Sequence, residues 1–310
     1  MIIPNEIVWR GRYLKKINFN NDFRKYLIES YDVGSSYFNY ESFDKYSGSV
    51  DENGFPWDSE RGYNPTALCQ YALSYYDKNN LDALDIFLEI VNFICTQLQE
   101  DGGYAYCFDF NLHGIQFENP WYSCMAQSQI LSVLCRAYIL TMDSNYLEKA
   151  ENVYNFMVGL YEQKKGLKQN INQFCEKVEI FRDYKNKGWI FEEYVNEHSS
   201  YVLNGNLFAL VGLYEYYELT RRIDVLENFS QGLESIKLML PFYDFNGSSC
   251  YDLTWLLYDQ KIDFTSKYAH DCHIYLLDYL AKKTNDITII YYRDKFIEYI
   301  ENINFYLYEE

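Results

Sequence analysis

Residues 123–141 read SCMAQSQILSVLCRAYILT, and a turn at Asp143-Ser144-Asn145 follows before a second apolar series over residues 147–157. In both stretches apolar side chains recur at intervals of three and four residues, which is the period of an amphipathic helix. The hydroxyl of Ser123 can accept hydrogen bonds from the first free N–H groups of a helix. This part of the chain therefore predicts two helices joined by a short turn.

Three further parts of the chain have the same organisation of two periodic stretches around a polar turn. They comprise residues 64–76 with 81–94, residues 199–215 with 223–233, and residues 268–280 with 290–300. Four such units predict an all-α fold, an incomplete α/α toroid of about four helical hairpins. Their unequal spacing fits a toroid in which the loops between pairs gather at one end and form a site. An all-α bundle is the alternative.

Two inserts between the helix pairs alternate like strands and predict short β-hairpins. One is residues 102–110, and the other joins residues 177–181 to residues 189–194 across Lys185-Asn186-Lys187-Gly188. No stretch has the composition of a linker. We therefore predict an N-terminal extension, residues 1–55, packed on one helical domain that comprises residues 56–310.

Composition limits the classes of partner. The formal net charge of −18 argues against nucleic acid and anionic membrane surfaces, since both require a basic surface. It also disfavours a strongly sulfated polysaccharide, whereas a uronic acid polymer of lower charge density, met by a local basic patch, fits better. The 34 tyrosines are typical of an aromatic groove for sugar faces. An AT-rich coding sequence is an equally good explanation for most of them.

The sequence shows no pattern typical of disulfides, of a membrane-targeting segment or of a metal site. The eight cysteines contain no CxxC pair, and several lie in apolar helical runs, which predicts reduced and buried thiols. Residues 1–6 show no signal peptide and no apolar run approaches the roughly 20 residues that span a bilayer, so we expect a cytoplasmic protein without a transmembrane segment. His270 and His273 lie three residues apart, but no third ligand follows at a suitable spacing, so no metal and no other cofactor is predicted.

A known family is recognisable in the segment Trp121-Tyr122-Ser123-Cys124-Met125-Ala126-Gln127-Ser128-Gln129. It resembles the Trp-Tyr-Ser-Ala-Met-Ala-Gln-Gly-Gln segment of the D-glucuronyl C5-epimerase family, and three further segments resemble that family in the same order. The resemblance covers roughly residues 55–300 and extends to the family's C-terminal helical domain. From the roughly 55 residues upstream of the match, we expect no counterpart of the β-rich domain that precedes it in the animal enzymes. The resemblance implies substrate contacts for Trp121, Tyr122 and Gln127.

A second segment, Phe191-Glu192-Glu193-Tyr194, places two carboxylates and a phenol between a strand and a helix. On its own it is also typical of a solvated acidic turn. Together with Ser199-Ser200-Tyr201-Val202-Leu203-Asn204-Gly205 it is similar to the family's Glu-Glu-Tyr…Ser-Ser-Phe-Val-Leu-Asn-Gly motif. That similarity implies that Glu193 and Tyr194 are catalytic and that Asn204 binds the substrate.

A third segment, residues 239–253, is similar to the family's Met-Leu-Pro-Leu-Tyr-Asp…Gly-Thr-Ile-Tyr-Asp-Leu-Arg. The family's loop Tyr is a catalytic candidate, which implies that role for Tyr251 and substrate binding for Asp252. The Arg that follows Asp-Leu in the family is Thr254 here. Because a cationic contact to the substrate is missing, sulfated or highly charged substrates are disfavoured.

The fourth segment, residues 267–274, resembles the family's Asp-Tyr-His-Thr-Thr-His-Ile, whose Tyr is another candidate for proton transfer. This chain has one extra residue before His273. Either Tyr268 keeps the catalytic role with a shift of one residue, or His270 takes over part of it. The resemblance places His270 and His273 among the substrate-binding residues.

Residues 61–73 match the family's turn, Asn-Pro and helix entry, with Asn64 as a helix cap before Pro65. Arg61 beside Tyr63 is a candidate clamp for a substrate carboxylate, although an exposed loop Arg is an equal alternative. We assign Arg61, Tyr63 and Asn64 to substrate binding. Arg136, in the middle of a helix, is interpreted as structural or at the floor of the groove.

The resemblance implies an isomerase that inverts C5 of D-glucuronate to L-iduronate in a heparosan-like glycan or a smaller glucuronoside, as in polysaccharide biosynthesis. Such chemistry needs an acid or base on each face of the sugar and donors for its carboxylate. We expect Glu193, Tyr194, Tyr251 and Tyr268 within about 12 Å of each other for that reason. The alternatives are a uronate lyase or unsaturated-uronyl hydrolase on the same scaffold, and a non-catalytic glycan-binding protein. A homodimer is a candidate assembly.

Overall fold

The structure is a computed structural model that describes residues 6–9, 12–15, 48–112, 114–161, 166–245, 247–264 and 267–307. The side chains of residues 6–9, 12–15, 267–269 and 301–307 are outside this description. The described helices are α1 (Pro65–Asp77), α2 (Leu81–Gln97), α3 (Cys124–Thr141), α4 (Ser144–Val158), α5 (Asn172–Lys177), α6 (Leu203–Thr220), α7 (Ile223–Met239), α8 (Thr254–Tyr258), α9 (Lys267–Thr284) and α10 (Ile287–Leu307).

The four predicted helix pairs are present as α1 with α2, α3 with α4, α6 with α7, and α9 with α10. The first helices of the pairs, α1, α3, α6 and α9, pack side by side in that order. Helices α3 and α6 are buried on nearly every side, whereas α2, α4 and α7 keep one polar face. Such all-round burial marks an inner helix. The incomplete α/α toroid is therefore confirmed.

Short polar caps explain why the helices start where the sequence predicts. The side chain of Asn64 accepts a hydrogen bond from the Ala67 N–H at 3.0 Å, and that of Ser123 accepts one from the Ala126 N–H at 3.3 Å. Met142 and Arg221 directly follow the last residues of α3 and α6, and their φ angles of 54° and 55° are left-handed. This geometry reverses the chain within a few residues and returns it along the preceding helix.

In the part of the chain that the structure describes, three two-stranded antiparallel sheets accompany the helices: β1 (Glu6–Trp9) with β2 (Arg12–Lys15), β3 (Phe110–Leu112) with β4 (Ile115–Phe117), and β5 (Lys168–Asn170) with β6 (Trp189–Phe191). The prediction of a hairpin within residues 102–110 is wrong in its bounds. Only Tyr106 forms a bridge there, with Trp121, and the hairpin starts at Phe110. The Gly114 N–H donates to Asn111 Oδ1. This hydrogen bond fixes the hairpin turn between β3 and β4, beyond the predicted residues 102–110.

The second predicted hairpin is also wrong in its pairing. Residues 177–181 do not form a strand, because they end α5 and enter a 3₁₀ turn, Glu179–Tyr184. Phe181 stacks on Phe174 with ring centroids 5.7 Å apart, while Ile180 is 80% exposed, so the alternation buries no apolar face. Strand β6 pairs instead with β5, and Lys168 lies opposite Phe191.

All eight cysteines are free and seven of them are buried, in agreement with the prediction of reduced thiols. Within the described ranges, no helix has the length and apolar character needed to cross a membrane. The predicted extension, residues 1–55, falls largely outside the described residues, so its packing on the helical domain stays a prediction.

Candidate active site

Three of the four predicted catalytic side chains meet at the N-terminal end of α6. The Tyr251 hydroxyl donates to Glu193 Oε1 at 3.4 Å, and the Tyr194 and Tyr251 hydroxyl oxygens are 3.3 Å apart. The fourth, Tyr268, is in the first turn of α9, and its side chain is outside the described residues. A carboxylate and two phenols thus form one hydrogen-bonded cluster, which we call the Glu193 cluster.

The chain places Glu193 by fixing the residue before it. Glu192 follows β6, its carbonyl oxygen accepts from the Cys124 N–H at the start of α3, and its Oε1 accepts from the Tyr201 N–H at 2.7 Å. Both carboxylates are buried, with Glu192 at 0% and Glu193 at 7% exposure. The sequence alternative of a solvated acidic turn is therefore wrong.

Tyr251 is held by a loop that crosses the start of α6. Its carbonyl oxygen accepts from the Leu203 N–H at 3.0 Å, and its own N–H donates to the Asp263 carbonyl at 2.7 Å. The Leu253 N–H donates to the Ser200 carbonyl on the other side. Backbone hydrogen bonds therefore fix this loop at three points, and the Tyr251 hydroxyl reaches Glu193 from it.

Two buried histidines hold the same loop. Ser249 Oγ is 2.8 Å from His270 Nδ1 and 2.9 Å from His273 Nδ1. His270 Nε2 is 3.0 Å from the Phe296 carbonyl oxygen, which can only accept, so the proton of His270 is on Nε2. Burial lowers the pKa of His270 and that of His273, the latter to about 3. The resemblance placed both in substrate binding, and the structure uses them to hold Ser249, two residues before Tyr251.

Glu193 and the two phenols of its cluster have different pKa values, so one can act as a base while the others stay protonated. Burial raises the pKa of Glu193 from 4.5 to about 7, although hydrogen bonds from Tyr194 and Tyr251 oppose the rise. Burial and the charge of Glu193 raise the pKa of both phenols above 10. Near neutral pH, Glu193 therefore exchanges between its two forms while the tyrosines keep their protons. This is the arrangement that general acid–base catalysis requires.

An aromatic cluster adjoins the Glu193 cluster through the ring of Tyr194. Its six members are Tyr106, Phe108, Phe110, Phe117, Trp121 and Tyr194. Tyr106 and Trp121 are stacked with centroids 4.1 Å apart, and Phe110 is 5.2 Å from Tyr194. Sequence reasoning identified only Trp121 and Tyr194 as site residues. The alternating aromatics of residues 104–110 were the available signal, and they were interpreted as a strand.

One cation lies at the edge of this aromatic cluster. The guanidinium carbon of Arg61 is 5.4 Å from the centroid of Phe108, which in turn packs edge-on against Trp121. Arg61 is exposed and comes from the loop before α1. Position 254, where the family carries Arg, is a fully buried Thr whose N–H and hydroxyl both donate to Asp252 Oδ1. Arg61 is therefore well placed to meet an anionic group that enters over the aromatic rings.

Several predicted substrate-binding residues make structural contacts. Gln127 binds the Tyr104 backbone through both of its amide atoms, and Tyr122 donates to Gln99. Tyr63 donates to Asp51, Asn64 caps α1, and Asp252 Oδ1 accepts from the Thr254 N–H at the start of α8. Asn204 is buried beside Gly205, and its Oδ1 has no hydrogen-bond partner among the described atoms. Arg136 pairs with Glu215 at 2.8 Å between α3 and α6, in agreement with its structural interpretation.

Comparisons with known proteins point to one family. The family described as D-glucuronyl C5-epimerase C-terminus matches residues 98–298. A D-glucuronyl C5-epimerase of Caenorhabditis elegans is 30% identical over 191 residues, which are 58% of this chain and 29% of that enzyme. An uncharacterized protein of Methanocaldococcus jannaschii is 29% identical over 259 residues, covering 83% of this chain and 73% of that protein. The chain therefore spans less than a third of the length of the Caenorhabditis elegans enzyme.

Among solved structures, the fold is similar to that of cellobiose 2-epimerase from Bacillus thermoamylovorans. The TM-score is 0.52 at 15% sequence identity, and the alignment covers 89% of this chain and 68% of that one. At this identity the likeness concerns the helical fold alone.

Proposed function

Since this chain belongs to the family of the D-glucuronyl C5-epimerase C-terminus, we propose that it inverts C5 of D-glucuronate units to L-iduronate. The substrate is a glucuronate-containing glycan or a smaller glucuronoside. One observation carries the proposal: a buried carboxylate with a pKa of about 7, Glu193, hydrogen-bonded to the Tyr251 phenol.

The reaction requires a base that removes the C5 proton and an acid that returns one to the opposite face. The intermediate carbanion is adjacent to the substrate carboxylate, and it is too high in energy unless that carboxylate is neutralised or hydrogen-bonded. Glu193 in its ionised form is the base. Tyr251 keeps its proton, so it can donate to the developing charge.

The geometry of the Glu193 cluster argues that its members serve one face of the sugar. A carbon attacked from both faces needs its two reacting oxygens about 3 Å away on opposite sides, hence about 6 Å from each other. Tyr251 Oη and Glu193 Oε1 are only 3.4 Å apart. Both therefore act from the same side, and we propose, from the resemblance, that Tyr268 serves the other face.

The substrate carboxylate is proposed to pair with Arg61. A planar guanidinium binds a carboxylate through two parallel hydrogen bonds, and the neighbouring aromatic rings supply flat surfaces for the sugar. In this proposal Arg61 supplies the positive charge that the family's Arg supplies at position 254.

The test is incubation in D₂O with a panel of glucuronate glycans, followed by NMR of the C5 position. Deuterium at C5 together with L-iduronate supports the proposal, and Glu193→Gln is the control that should abolish both. An unsaturated product would indicate the lyase alternative, and binding without exchange would indicate a glycan-binding protein.

A two-sided mechanism makes a sharper test possible. If Tyr268 serves the second face, Tyr268→Phe should stop solvent exchange from one of the two epimers and retain exchange from the other. Loss of exchange from both epimers at once would contradict the assignment of separate faces.

A further inference from the structure

We infer that Asp244 is a positioning residue for Tyr251, because α10 holds the Asp244 carboxylate and, with it, the loop that presents the Tyr251 hydroxyl to Glu193. The inference rests on the proposed function, in which Tyr251 donates to the developing charge. It adds α10, the last of the described helices, to the elements on which turnover depends.

Two side chains of α10 hold Asp244. Its Oδ2 pairs with Lys295 Nζ, and its Oδ1 accepts from the Tyr299 hydroxyl. Both contacts involve an ionised group, which makes them stronger than hydrogen bonds between neutral groups. The Asp244 side chain is only 9% exposed, so salt and water screen the pair little. These contacts therefore fix Asp244 against α10.

A second contact joins the same loop to α10 through His270. The Ser249 N–H donates to His270 Nδ1 at 3.3 Å, and Ser249 Oγ is 2.8 Å from the same nitrogen. His270 Nε2 donates in turn to the Phe296 carbonyl in α10 at 3.0 Å. The rings of His270 and Tyr299 are stacked with centroids 6.3 Å apart, so the two contacts adjoin each other. The loop is thus held by α10 at two positions.

Asp244 and Ser249 lie on facing segments of the loop that leads to Tyr251. They pair with each other in an antiparallel bridge, and the Cys250 N–H donates to the Tyr243 carbonyl at 2.9 Å. Tyr251 is the next residue along the chain. A displacement of Asp244 would therefore be passed through this pairing to the backbone of Tyr251.

The contact between Tyr251 and Glu193 has little tolerance for such a displacement. Tyr251 Oη is 3.4 Å from Glu193 Oε1, whereas hydrogen bonds between two oxygens are ordinarily about 2.5–3.0 Å long. A further separation of about 0.3 Å would end the hydrogen bond. In enzymes generally, a misplacement of about 1 Å by a distant substitution can lower the rate about 10²-fold. The position of the loop should therefore affect turnover directly.

Other ion pairs keep α10 in place, so Asp244 is not needed for that purpose. Arg293 pairs with Asp278 of α9 at 3.1 Å, and Asp286 pairs with Lys237 of α7 at 2.7 Å. Asp286 also caps the start of α10, because its Oδ1 accepts from the Thr288 N–H at 2.9 Å. Removing the charge of Asp244 should therefore loosen the loop and leave the helix attached.

Kinetics of C5 exchange and a ¹³C NMR titration of the Glu193 carboxyl test the inference on the full chain. Asp244→Asn should lower kcat about ten-fold and leave KM unchanged. Burial raises the pKa of Glu193 and the hydrogen bond from Tyr251 opposes that rise, so a weaker hydrogen bond should raise the pKa further. Tyr299→Phe keeps the ring and removes only the hydroxyl, and it should produce both effects to a smaller extent.

Asp286→Asn is the matched control, because it breaks a partly buried ion pair of the same helix, about 13 Å along its axis from Lys295. It should lower the melting temperature and leave kcat and the Glu193 titration unchanged. The double variant Asp244→Asn with Tyr251→Phe separates positioning from general stability. Because Asp244 acts through Tyr251, the double variant should be no slower than Tyr251→Phe alone.

Three outcomes would overturn the inference. The first is a Glu193 titration in Asp244→Asn that matches the wild type. The second is an equal loss of kcat in Asp286→Asn, and the third is a double variant slower than Tyr251→Phe by the full factor seen in Asp244→Asn. The NMR titration needs no substrate. A wild-type protein that exchanges no C5 hydrogen would therefore contradict the proposed function, while the titration would still decide whether Asp244 positions Tyr251 at Glu193.

Discussion

Glu193 packs directly on Gly205, so closely that a Cβ at position 205 would be 2.3 Å from Glu193 Cβ and 2.8 Å from Glu193 Oε2. Only a residue without a side chain leaves space for the carboxylate against the first turn of α6. The position of the proposed base is thus set by a glycine on a different element.

The first prediction is that Gly205→Ala displaces Glu193 and lowers turnover at least 10²-fold while the protein stays folded. Overpacking of this kind costs about 1–3 kcal/mol. Gly212→Ala is the matched control, because its Cβ would meet the Ser128 backbone at 2.5 Å in the contact between α3 and α6. It should lower the melting temperature similarly, yet keep the specific activity. Equal activity losses in both variants would argue against a special role for Gly205.

Tyr251→Phe keeps the ring and removes only the hydroxyl. Losing the hydroxyl that donates to the developing charge should lower turnover roughly 10²–10³-fold, and deuterium incorporation at C5 should fall with it. Tyr146→Phe is the control. It removes a hydroxyl that donates to Asn92, outside the Glu193 cluster, and should affect stability alone. Exchange of the C5 hydrogen at the wild-type rate in Tyr251→Phe would show that its hydroxyl does not stabilise the developing charge.

The pH profile of kcat/KM should have an acidic limb near pH 7. Below that value Glu193 is protonated and cannot accept the C5 proton, so the rate rises as pH rises through its pKa. The hydrogen bond from Tyr251 favours ionised Glu193, so the residual activity of Tyr251→Phe should have its limb at higher pH. A limb near pH 4.5 would mean that the base is an exposed carboxylate instead.

The buried carboxyl of Glu192 should make the free energy of unfolding depend on pH. Burial raises its pKa from 4.5 to about 8, with smaller contributions from the charges of Asp252 and Glu193. Between those values the unfolded chain releases the proton and the folded protein retains it, so the free energy of unfolding falls as pH rises. Glu192→Gln should therefore melt higher than the wild type at pH 8 and similarly at pH 4. Parallel melting curves across this range would show that Glu192 does not titrate as proposed.

Arg61→Ala should raise KM for a glucuronate substrate at least ten-fold, because a charge-assisted contact to the carboxylate contributes about 1.5–3 kcal/mol. Arg61→Lys should recover only part of this, since Lys lacks the planar pair of donors. Arg182→Ala is the control, because its pair with Glu179 is on an exposed surface. An unchanged KM in Arg61→Ala would leave carboxylate recognition to another group.

The helix pairs were predictable because they depend on local information. Apolar period, caps such as Asn64 and Ser123, and polar turns fix where a helix begins and ends, whatever it packs against. The inserts were not predictable in the same way. Residues 177–181 have the alternation of a strand, but β6 pairs with β5, and that choice depends on which backbone lies beside it.

The sequence by itself determined the helical repeat, the family and the presence of Glu193, Tyr194 and Tyr251 in recognisable motifs. Only the tertiary structure decided that these three touch, that Gln127 and Asp252 are used to hold the backbone, and that Glu193 is buried. The reason is physical. A pKa near 7 and a contact of 3.4 Å arise from desolvation and packing between segments 57 and 58 residues apart, which no local pattern encodes.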